Sequence, residues 1–235
     1  MNGFIDIHCH ILPGVDDGAS GIDATREMLA AAYGSGTRMI VATPHFVPGQ
    51  HNPPPAFLAS ALEQTRELAN EIASDFRIEL ANELYMVPGA LRLLQEKRVQ
   101  TYDSRNLVLA EFDPGVDFTA MTEQLNQARY AGYRMILAHT ERYRCLNEDR
   151  LQKLAECGVH MQMNAKTVTS VSFFARTTLK RLLRSELIDF IASDGHDPKH
   201  RPAVLQEAYT IVCDWCGKET AAGLFWHNYL NMITD

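Results

Sequence analysis

The sequence lacks the signatures of several common enzyme classes. No GxGxxG or GxxxxGK[ST] segment is present, which removes support for the usual nucleotide-binding forms of an open α/β sheet. None of the five cysteines is followed by an arginine six residues later, so a cysteine-based phosphate-binding loop is excluded. A GxSxG nucleophile elbow is also absent. Any chemistry of this chain therefore proceeds without a cysteine or serine nucleophile of these kinds.

The 235-residue chain also lacks an excess of basic charge. Its 22 Lys and Arg residues stand against 29 Asp and Glu residues, which gives a formal net charge of −7. Proteins that grip a nucleic-acid backbone or an anionic membrane surface need a basic face, so we expect neither as a partner. The longest stretch without a charged side chain, residues 39–62, contains five prolines and cannot be a membrane span. We expect no membrane insertion.

Cysteine is scarce, and the N-terminal sequence shows no export signal. Five cysteines are an odd number without the density of a disulfide-rich protein. The strand-like segment at Phe4 follows only three residues; no basic region precedes it and no long apolar region follows it, so we expect no signal peptide. We therefore expect a cytoplasmic protein. Cys213 and Cys216 fall in a predicted helix without a second cysteine pair, which favours helix packing over zinc or redox work.

Short apolar segments rich in β-branched residues recur along the whole chain, separated by helical sequence. The predicted strands are Phe4–His8, Met39–Thr43, Phe76–Leu80, Asn106–Phe112, Arg134–His139, His160–Asn164 and Ile188–Ser193. Their near-continuous apolar pattern is typical of strands buried on both faces of a parallel sheet. The spacing of about 25 to 37 residues suits βαβ units. We expect one α/β domain over residues 1–235, with seven repeats in a closed or nearly closed barrel.

Ionisable side chains cluster where the predicted strands end. Six of the seven strands carry His, Asp or Glu at or just after the carboxyl end, where β/α barrels form their active sites. These side chains are His8, His10, Asp17, His45, Glu83, Glu111, His139, Asp194 and His196. Four carboxylates and five imidazoles brought together would repel and lose solvation unless cations were bound. The sequence therefore predicts a polynuclear metal site.

Two short motifs have the spacing that a metal ion needs. Residues i and i+2 of an extended strand point to the same side, so His8 and His10 can bind one ion while Cys9 points into the packing. Asp194 and His196 repeat this spacing after the last strand. Imidazole together with carboxylate suits manganese, zinc or iron better than the all-oxygen sites of calcium or magnesium.

The remaining histidines have less specific contexts. His160 opens a strand at the opposite end of the predicted barrel, and His227 falls in the terminal helix, so both are expected to be structural. His51 and His200 lie in loops near strand ends, where either a solvated role or contact with a substrate is open.

The order of these motifs resembles the PHP superfamily (polymerase and histidinol phosphatase). The specific pieces are Asp-x-His-x-His-x-Leu-Pro-x-x-Asp-Asp-Gly and His-x-Glu-Arg-Tyr, and the match runs from Asp6 to Pro202. Thr-Pro-His, Asn-Glu, the lone Glu111 and Ser-Asp-x-His follow the same order. Within the superfamily the chain resembles bacterial manganese-dependent protein-tyrosine phosphatases of capsule and exopolysaccharide biosynthesis. One departure is Thr140, where many relatives have proline.

The resemblance implies a distorted seven-stranded (β/α)7 TIM-like barrel, the PHP fold, with three divalent metal ions. Manganese is the usual ion, and iron, zinc or magnesium are alternatives. Carried over by position, His8, His10 and Asp194 would hold one ion, Glu83 would bridge to a second held by Glu111 and His139, and Asp17, His45 and His196 would hold the third. Arg142 and Arg201 match the phosphate-contacting arginines of the family.

The function implied is hydrolysis of phosphotyrosine on proteins by a metal-activated hydroxide. The expected partner is a phosphotyrosine protein, namely a bacterial tyrosine kinase that regulates capsule or exopolysaccharide synthesis. One alternative is a small-molecule phosphatase such as a histidinol-phosphate phosphatase. A second alternative is a non-catalytic, metal-binding regulatory partner of such a kinase.

Overall fold

The structure, a computed structural model, describes residues 3–102 and 106–234, in which strands and helices alternate. The strands are β1 (Phe4–Cys9), β2 (Thr37–Ala42), β3 (His45–Phe46), β4 (Arg77–Leu80), β5 (Glu83–Tyr85), β6 (Leu107–Glu111), β7 (Arg134–Leu137), β8 (Val159–Asn164) and β9 (Phe190–Ala192). The helices are α1 (Ile22–Gly34), α2 (Pro55–Ile72), α3 (Ala90–Gln95), α4 (Phe118–Tyr130), α5 (Glu148–Glu156), α6 (Ala165–Thr169), α7 (Phe173–Arg184), α8 (Gln206–Cys216), α9 (Lys218–Ala222) and α10 (Asn228–Thr234). A π-helical turn, Gly223–His227, joins α9 to α10.

All seven predicted strands are present, with ends within two residues of the predicted ones. Two further strands, β3 and β5, were not predicted. They continue β2 and β4 after short breaks and contain two and three residues. Segments of that length carry no periodicity, because a pattern of apolar residues needs several positions to be recognised.

The strands form two parallel sheets. One has the order β1-β2-β4, and the other has the order β3-β5-β6-β7-β8-β9. At the β9 edge of the six-stranded sheet, the segment that follows β9 lies beside β1 of the other sheet. Asp194 N donates to the His8 carbonyl at 2.9 Å, and His10 N donates to the Gly195 carbonyl at 2.8 Å. The carboxyl ends of β1 and β9 are thereby held side by side.

One buried apolar cluster takes alternate residues from strands of both sheets. Ile5 and Ile7 of β1 pack in it together with Leu107 and Leu109 of β6, and β2, β7 and β9 also contribute. Residues two apart share one face of a strand, so these side chains mark a common inner face. The other faces pack against helices in two further clusters. The predicted placement of the Cys9 side chain in the packing is confirmed, since it is fully buried in one of these two clusters.

Helices begin where the chain leaves the carboxyl ends of strands. At the start of α4 the Asp117 carboxylate accepts from Thr119 N at 2.8 Å, and at the start of α5 the Asn147 side chain accepts from Arg150 N at 3.0 Å. Such caps satisfy backbone donors that have no partner within the helix. Among the described residues, no helix combines the length and apolarity needed to cross a bilayer.

Candidate metal centre

The nine predicted ligand side chains lie together at the carboxyl ends of the strands. His8 and His10 are in and after β1, Asp17 is in the following loop, His45 opens β3, Glu83 opens β5, Glu111 ends β6, His139 follows β7, and Asp194 and His196 follow β9. Most of these side chains are buried, whereas Asp17 is exposed. The parallel sheets thus bring residues that are far apart in the sequence together at the carboxyl ends of the strands.

The tightest group contains His8, His10 and Asp194. The Nε2 atoms of the two imidazoles are 3.2 Å apart, and Asp194 Oδ1 lies 3.5 and 3.6 Å from them. Glu83 Oε2 lies 3.2 Å from each Nε2 atom. Two ligand atoms that each lie about 2.1 Å from one ion are separated by about 3.0 to 3.4 Å. The spacing of the two imidazoles therefore fits a shared cation.

Two further groups have ligand atoms within 4.8 Å of one another. The first contains His45, Glu83 and Glu111, and the second contains His10, Asp17, His45 and His196. His139 enters neither group, although its Nε2 lies 3.0 Å from Glu83 Oε1 and 3.4 Å from Glu111 Oε1. The grouping differs from the predicted one in that His10 and His45 each belong to two groups. The division of the nine side chains among three ions stays a prediction.

The chemistry of this donor set fits divalent metal ions. Two buried atoms of the cluster, Glu83 Oε2 and His45 Nδ1, have no hydrogen-bond partner among the described residues. Imidazole nitrogens of three histidines approach Glu83 Oε2 to 3.1–3.2 Å without hydrogen-bond geometry. Buried polar atoms without partners are costly. Nitrogen and oxygen atoms that point at one another without forming hydrogen bonds still have free lone pairs. A bound cation would accept these lone pairs.

Neighbouring side chains orient the imidazoles. His10 Nδ1 lies 2.7 Å from Asp16 Oδ2, and His8 Nδ1 lies 3.1 Å from Gln162 Oε1. Each contact leaves Nε2 turned towards the cluster, which is how partners of ligating histidines fix the ring and its tautomer. Neither of these positioning residues was predicted from the sequence. Asp16 belongs to the Asp-Asp-Gly motif, and Gln162 stands out, with Asn164, as a polar residue at alternate positions of an apolar strand.

Asp16 also anchors the loop after β1. Its Oδ2 accepts from His45 N at 3.0 Å, and its Oδ1 accepts from Gly18 N at 3.0 Å. A side chain at position 18 would collide with the backbone of His10, so this position requires glycine. The Asp-Asp-Gly motif therefore has a structural basis in which Asp16 organises the loop that carries Asp17.

Two of the predicted ligands have a left-handed backbone. The φ angles of His139 and Asp194 are 31° and 51°, a region that non-glycine residues seldom adopt. Hydrogen bonds hold both residues there, since His139 N donates to Gln162 Oε1 at 2.8 Å and Asp194 N donates to the His8 carbonyl. Strained backbone of this kind concentrates at functional sites, where the surroundings over-determine it.

The charges of the centre are strongly coupled. Burial raises the pKa of the Glu83 carboxyl, but the four surrounding imidazoles outweigh burial and hold it well below its usual range. Burial lowers the pKa of His139, but Glu111 and Glu83 raise it to about 9. Burial lowers the pKa of His10, but the Asp16 and Glu83 carboxylates beside it outweigh burial and hold this pKa well above normal. A metal ion must therefore displace protons from these imidazoles.

The two predicted arginines meet the metal cluster at Asp194. Arg142 Nη2 and Arg201 Nη2 lie 2.6 and 2.7 Å from Asp194 Oδ2, and Asn164 Nδ2 donates to the same oxygen at 2.7 Å. Burial raises the pKa of Asp194, but the neighbouring His8 and His10 imidazoles and the Arg201 guanidinium hold it at about 2. Both guanidinium groups line a cavity of about 580 Å³. Each keeps N–H groups free of Asp194 for another anion.

The other histidines divide as the sequence suggested. His160 Nδ1 lies 3.0 Å from Asp189 Oδ1 near the start of β8, away from the cluster, and His227 lies in the π-helical turn. His200 lines the cavity that holds the two arginines. His51 lines a separate cavity of about 310 Å³ beside Asp17. Both loop histidines therefore line cavities that also contain residues of the candidate centre.

The chain matches a family and several curated proteins over most of its length. The family described as capsular polysaccharide synthesis, CpsB/CapC, matches residues 4–234. The tyrosine-protein phosphatase CpsB of Streptococcus pneumoniae is 32% identical over 239 residues, which cover 98% of each chain. The tyrosine-protein phosphatase YwqE of Bacillus subtilis (strain 168) is 31% identical over 219 residues, which cover 92% of this chain and 86% of YwqE.

Solved structures share the fold. A structure described as YwqE from Bacillus subtilis and CpsB from Streptococcus pneumoniae, unique metal-dependent tyrosine phosphatases, aligns with a TM-score of 0.84 and 29% identity, covering 92% of this chain and 89% of the other. The N-isopropylammelide isopropylaminohydrolase of Burkholderia multivorans aligns with a TM-score of 0.60 and 14% identity, covering 99% and 75%. At that identity only the fold is shared.

Proposed function

Because the chain belongs to the CpsB/CapC family of capsular polysaccharide synthesis, we propose that it is a metal-dependent tyrosine-protein phosphatase. The observation that carries the proposal is a cluster of imidazoles and carboxylates that shares Asp194 with two arginines facing an open cavity. The proposed reaction is hydrolysis of the phosphate ester of phosphotyrosine on a protein. The proposed substrate is a bacterial tyrosine kinase that regulates capsule or exopolysaccharide synthesis.

The proposed cofactor is a set of three divalent cations, with manganese as the resident ion. Its proposed ligands are His8, His10, Asp17, His45, Glu83, Glu111, His139, Asp194 and His196. When bound, such cations lower the pKa of water and neutralise charge on phosphate oxygens. The mixed imidazole and carboxylate donors support this assignment. Asp16 and Gln162 keep the imidazoles of His10 and His8 in the orientation that ligation needs.

In the proposed reaction, Arg142 and Arg201 hold the phosphate. Each guanidinium is anchored at one nitrogen by Asp194 and directs its remaining donors into the cavity. Preorganised donors of this kind stabilise charge that grows on phosphate oxygens in the transition state. The leaving phenolate has an intrinsic pKa of about 10, lower than that of an alkoxide. The reaction therefore depends less on a general acid than hydrolysis of an alkyl phosphate does.

We propose that the nine strands act as seven in a distorted (β/α)7 barrel. In this description β2 with β3, and β4 with β5, are single strands interrupted by two residues each. The hydrogen bonds between β1 and the segment after β9, and the inner cluster drawn from both sheets, support it. A single domain over residues 1–235 remains part of this proposal. The proposed location is the cytoplasm, where the five free thiols would stay reduced.

A paired assay and metal analysis of one preparation test the proposed function. Manganese-loaded protein is expected to hydrolyse a phosphotyrosine peptide faster than histidinol phosphate, and His8→Ala should lose this turnover. A clear preference for histidinol phosphate would favour the small-molecule phosphatase. Fully loaded protein that leaves p-nitrophenyl phosphate untouched would favour a non-catalytic partner. The same sample reports how many ions are bound and which element they are.

A further inference from the structure

The cavity beside the arginine pair has a volume of about 580 Å³ and is lined by more residues than the proposed reaction uses. One part of its wall contains Arg142, Arg201 and Asp194, against which a phosphate would lie. The outer wall is formed by α6 and by the segment that leads into α8, and it includes residues without a role in the proposed reaction. A phosphotyrosine that places its phosphate at the arginines leaves this outer part for neighbouring residues of the same polypeptide.

The outer wall contains Lys166, and hydrogen bonds hold the helical turn that carries it. Lys166 lies in α6, which begins directly after Asn164, whose amide donates to Asp194. The Glu141 carboxylate holds this turn from the other side, because its Oε1 accepts from Asn164 N at 3.1 Å and from Thr167 Oγ1 at 2.9 Å. Lys166 is two positions after Asn164, so their Cα atoms are at most about 7 Å apart. Lys166 thus lines the same cavity as Arg142 and Arg201, and its Nζ lies 3.5 Å from the carbonyl of His200, which directly precedes Arg201.

Lys166 has no anionic partner among residues 3–102 and 106–234. Its Nζ contacts the His200 carbonyl at 3.5 Å, and it forms no ion pair with the described carboxylates. Glu207 lines the same cavity from the first turn of α8 but is not paired with Lys166. An exposed ammonium group at the mouth of a substrate cavity attracts anions.

We infer that Lys166 binds an anionic side chain that flanks the phosphotyrosine of the substrate. The inference rests on the proposed phosphatase function and makes Lys166 a specificity-determining residue. An extended peptide advances about 3.3 Å per residue, so the anion would lie within about three residues of the phosphotyrosine. Carboxylate and phosphate share the required chemistry. The preferred substrates are therefore acidic or multiply phosphorylated tyrosine segments.

Peptides with one variable neighbour test this inference. Each peptide contains one phosphotyrosine and one varied position, which is one of the three residues before or after it. The varied position carries Glu, Ala, Lys or a second phosphotyrosine, and kcat/KM is measured for each peptide with manganese-loaded protein. Wild-type protein is expected to prefer Glu over Ala at one of these positions. Lys166→Gln should lower the Glu-to-Ala ratio about two- to fivefold, the range of an exposed ion pair, mainly through KM. Lys166→Glu should reverse the preference towards Lys peptides.

The control is Lys153→Gln, which removes the same charge from α5 outside the cavity and should leave the ratio unchanged. An equal fall in the ratio for Lys153→Gln would mean that overall charge, not Lys166, sets the preference. A Glu-to-Ala ratio unaffected by Lys166→Gln and Lys166→Glu overturns the inference, provided that thermal unfolding shows both variants to be folded. Absence of turnover of every phosphotyrosine peptide by wild-type protein would instead contradict the proposed function. The Glu and phosphotyrosine peptides distinguish a carboxylate site from a phosphate site.

Discussion

Asp194 uses its two carboxylate oxygens for different tasks. Oδ1 faces the imidazoles of His8 and His10, while Oδ2 receives Arg142, Arg201 and Asn164. One side chain therefore links the candidate metal centre to the proposed phosphate-binding groups. Because Asp194 Oδ2 accepts from three side chains, it keeps two hydrogen-bond partners when one of these side chains is removed. Removal of the Asp194 carboxylate would instead leave two guanidinium charges unpaired.

The arginine assignment predicts a selective loss in Arg201→Ala. The kcat/KM for a phosphotyrosine peptide should fall about 100-fold, as for removal of one charge-stabilising donor. Metal content should stay unchanged, because Arg142 and Asn164 still hold Asp194. Steady-state kinetics and metal analysis of the same sample measure both, with Arg98→Ala on the exposed surface as the control. Loss of metal from Arg201→Ala would mean that its role is structural.

The hydrogen bond from His10 to Asp16 makes a separate prediction. Asp16→Asn keeps the shape of the side chain but removes the charge that holds the imidazole. Metal affinity should fall about 10- to 100-fold, the usual effect of losing such a partner. Competition with a fluorescent chelator measures the affinity, and Asp23→Asn at the exposed start of α1 is the control. Equal affinities of the two variants would argue against this role of Asp16.

At the scale of elements, the ends of parallel strands made it predictable that the nine candidate side chains would cluster. The seven apolar segments and the residues that follow them indicated where the nine side chains would meet. The partners of those side chains were not predictable, because contacts such as His8 with Gln162 join residues 154 positions apart. The short strands β3 and β5 were missed for the opposite reason, since two or three residues carry too little pattern.

Gln162 of β8 should contribute to stability, because its side chain contacts His8 of β1 and His139 after β7. Its Oε1 lies 3.1 Å from His8 Nδ1 and accepts from His139 N at 2.8 Å. Gln162→Leu leaves both buried groups without this partner and should destabilise the metal-free protein by about 1–3 kcal/mol. Urea unfolding measures the change. Gln152→Leu on the exposed face of α5 is the control, and equal stabilities of the two variants would contradict the prediction.

For the whole molecule, the net charge of −7 hides the sign of the candidate centre. Four of the 29 acidic residues, Asp17, Glu83, Glu111 and Asp194, belong to it. Three divalent cations would exceed the charge of these four carboxylates by two, with two arginines alongside. An acidic protein would then offer a locally positive cavity to an anionic substrate, which composition alone cannot reveal.

Metal binding should therefore stabilise the whole fold in a way that depends on pH. The pKa of His139 is about 9 and that of His10 is well above normal, so without metal both carry protons at neutral pH. Ligation requires the neutral imidazole, hence binding releases protons and the apparent affinity rises with pH up to about 9.

A manganese concentration that is 100-fold above the Kd stabilises the fold by about 2.7 kcal/mol. The increase in Tm on adding manganese should thus be larger near pH 8.5 than near pH 6. Asp194→Ala should weaken this increase at both pH values, and an increase in wild-type protein that is independent of pH would show that these imidazoles are not ligands.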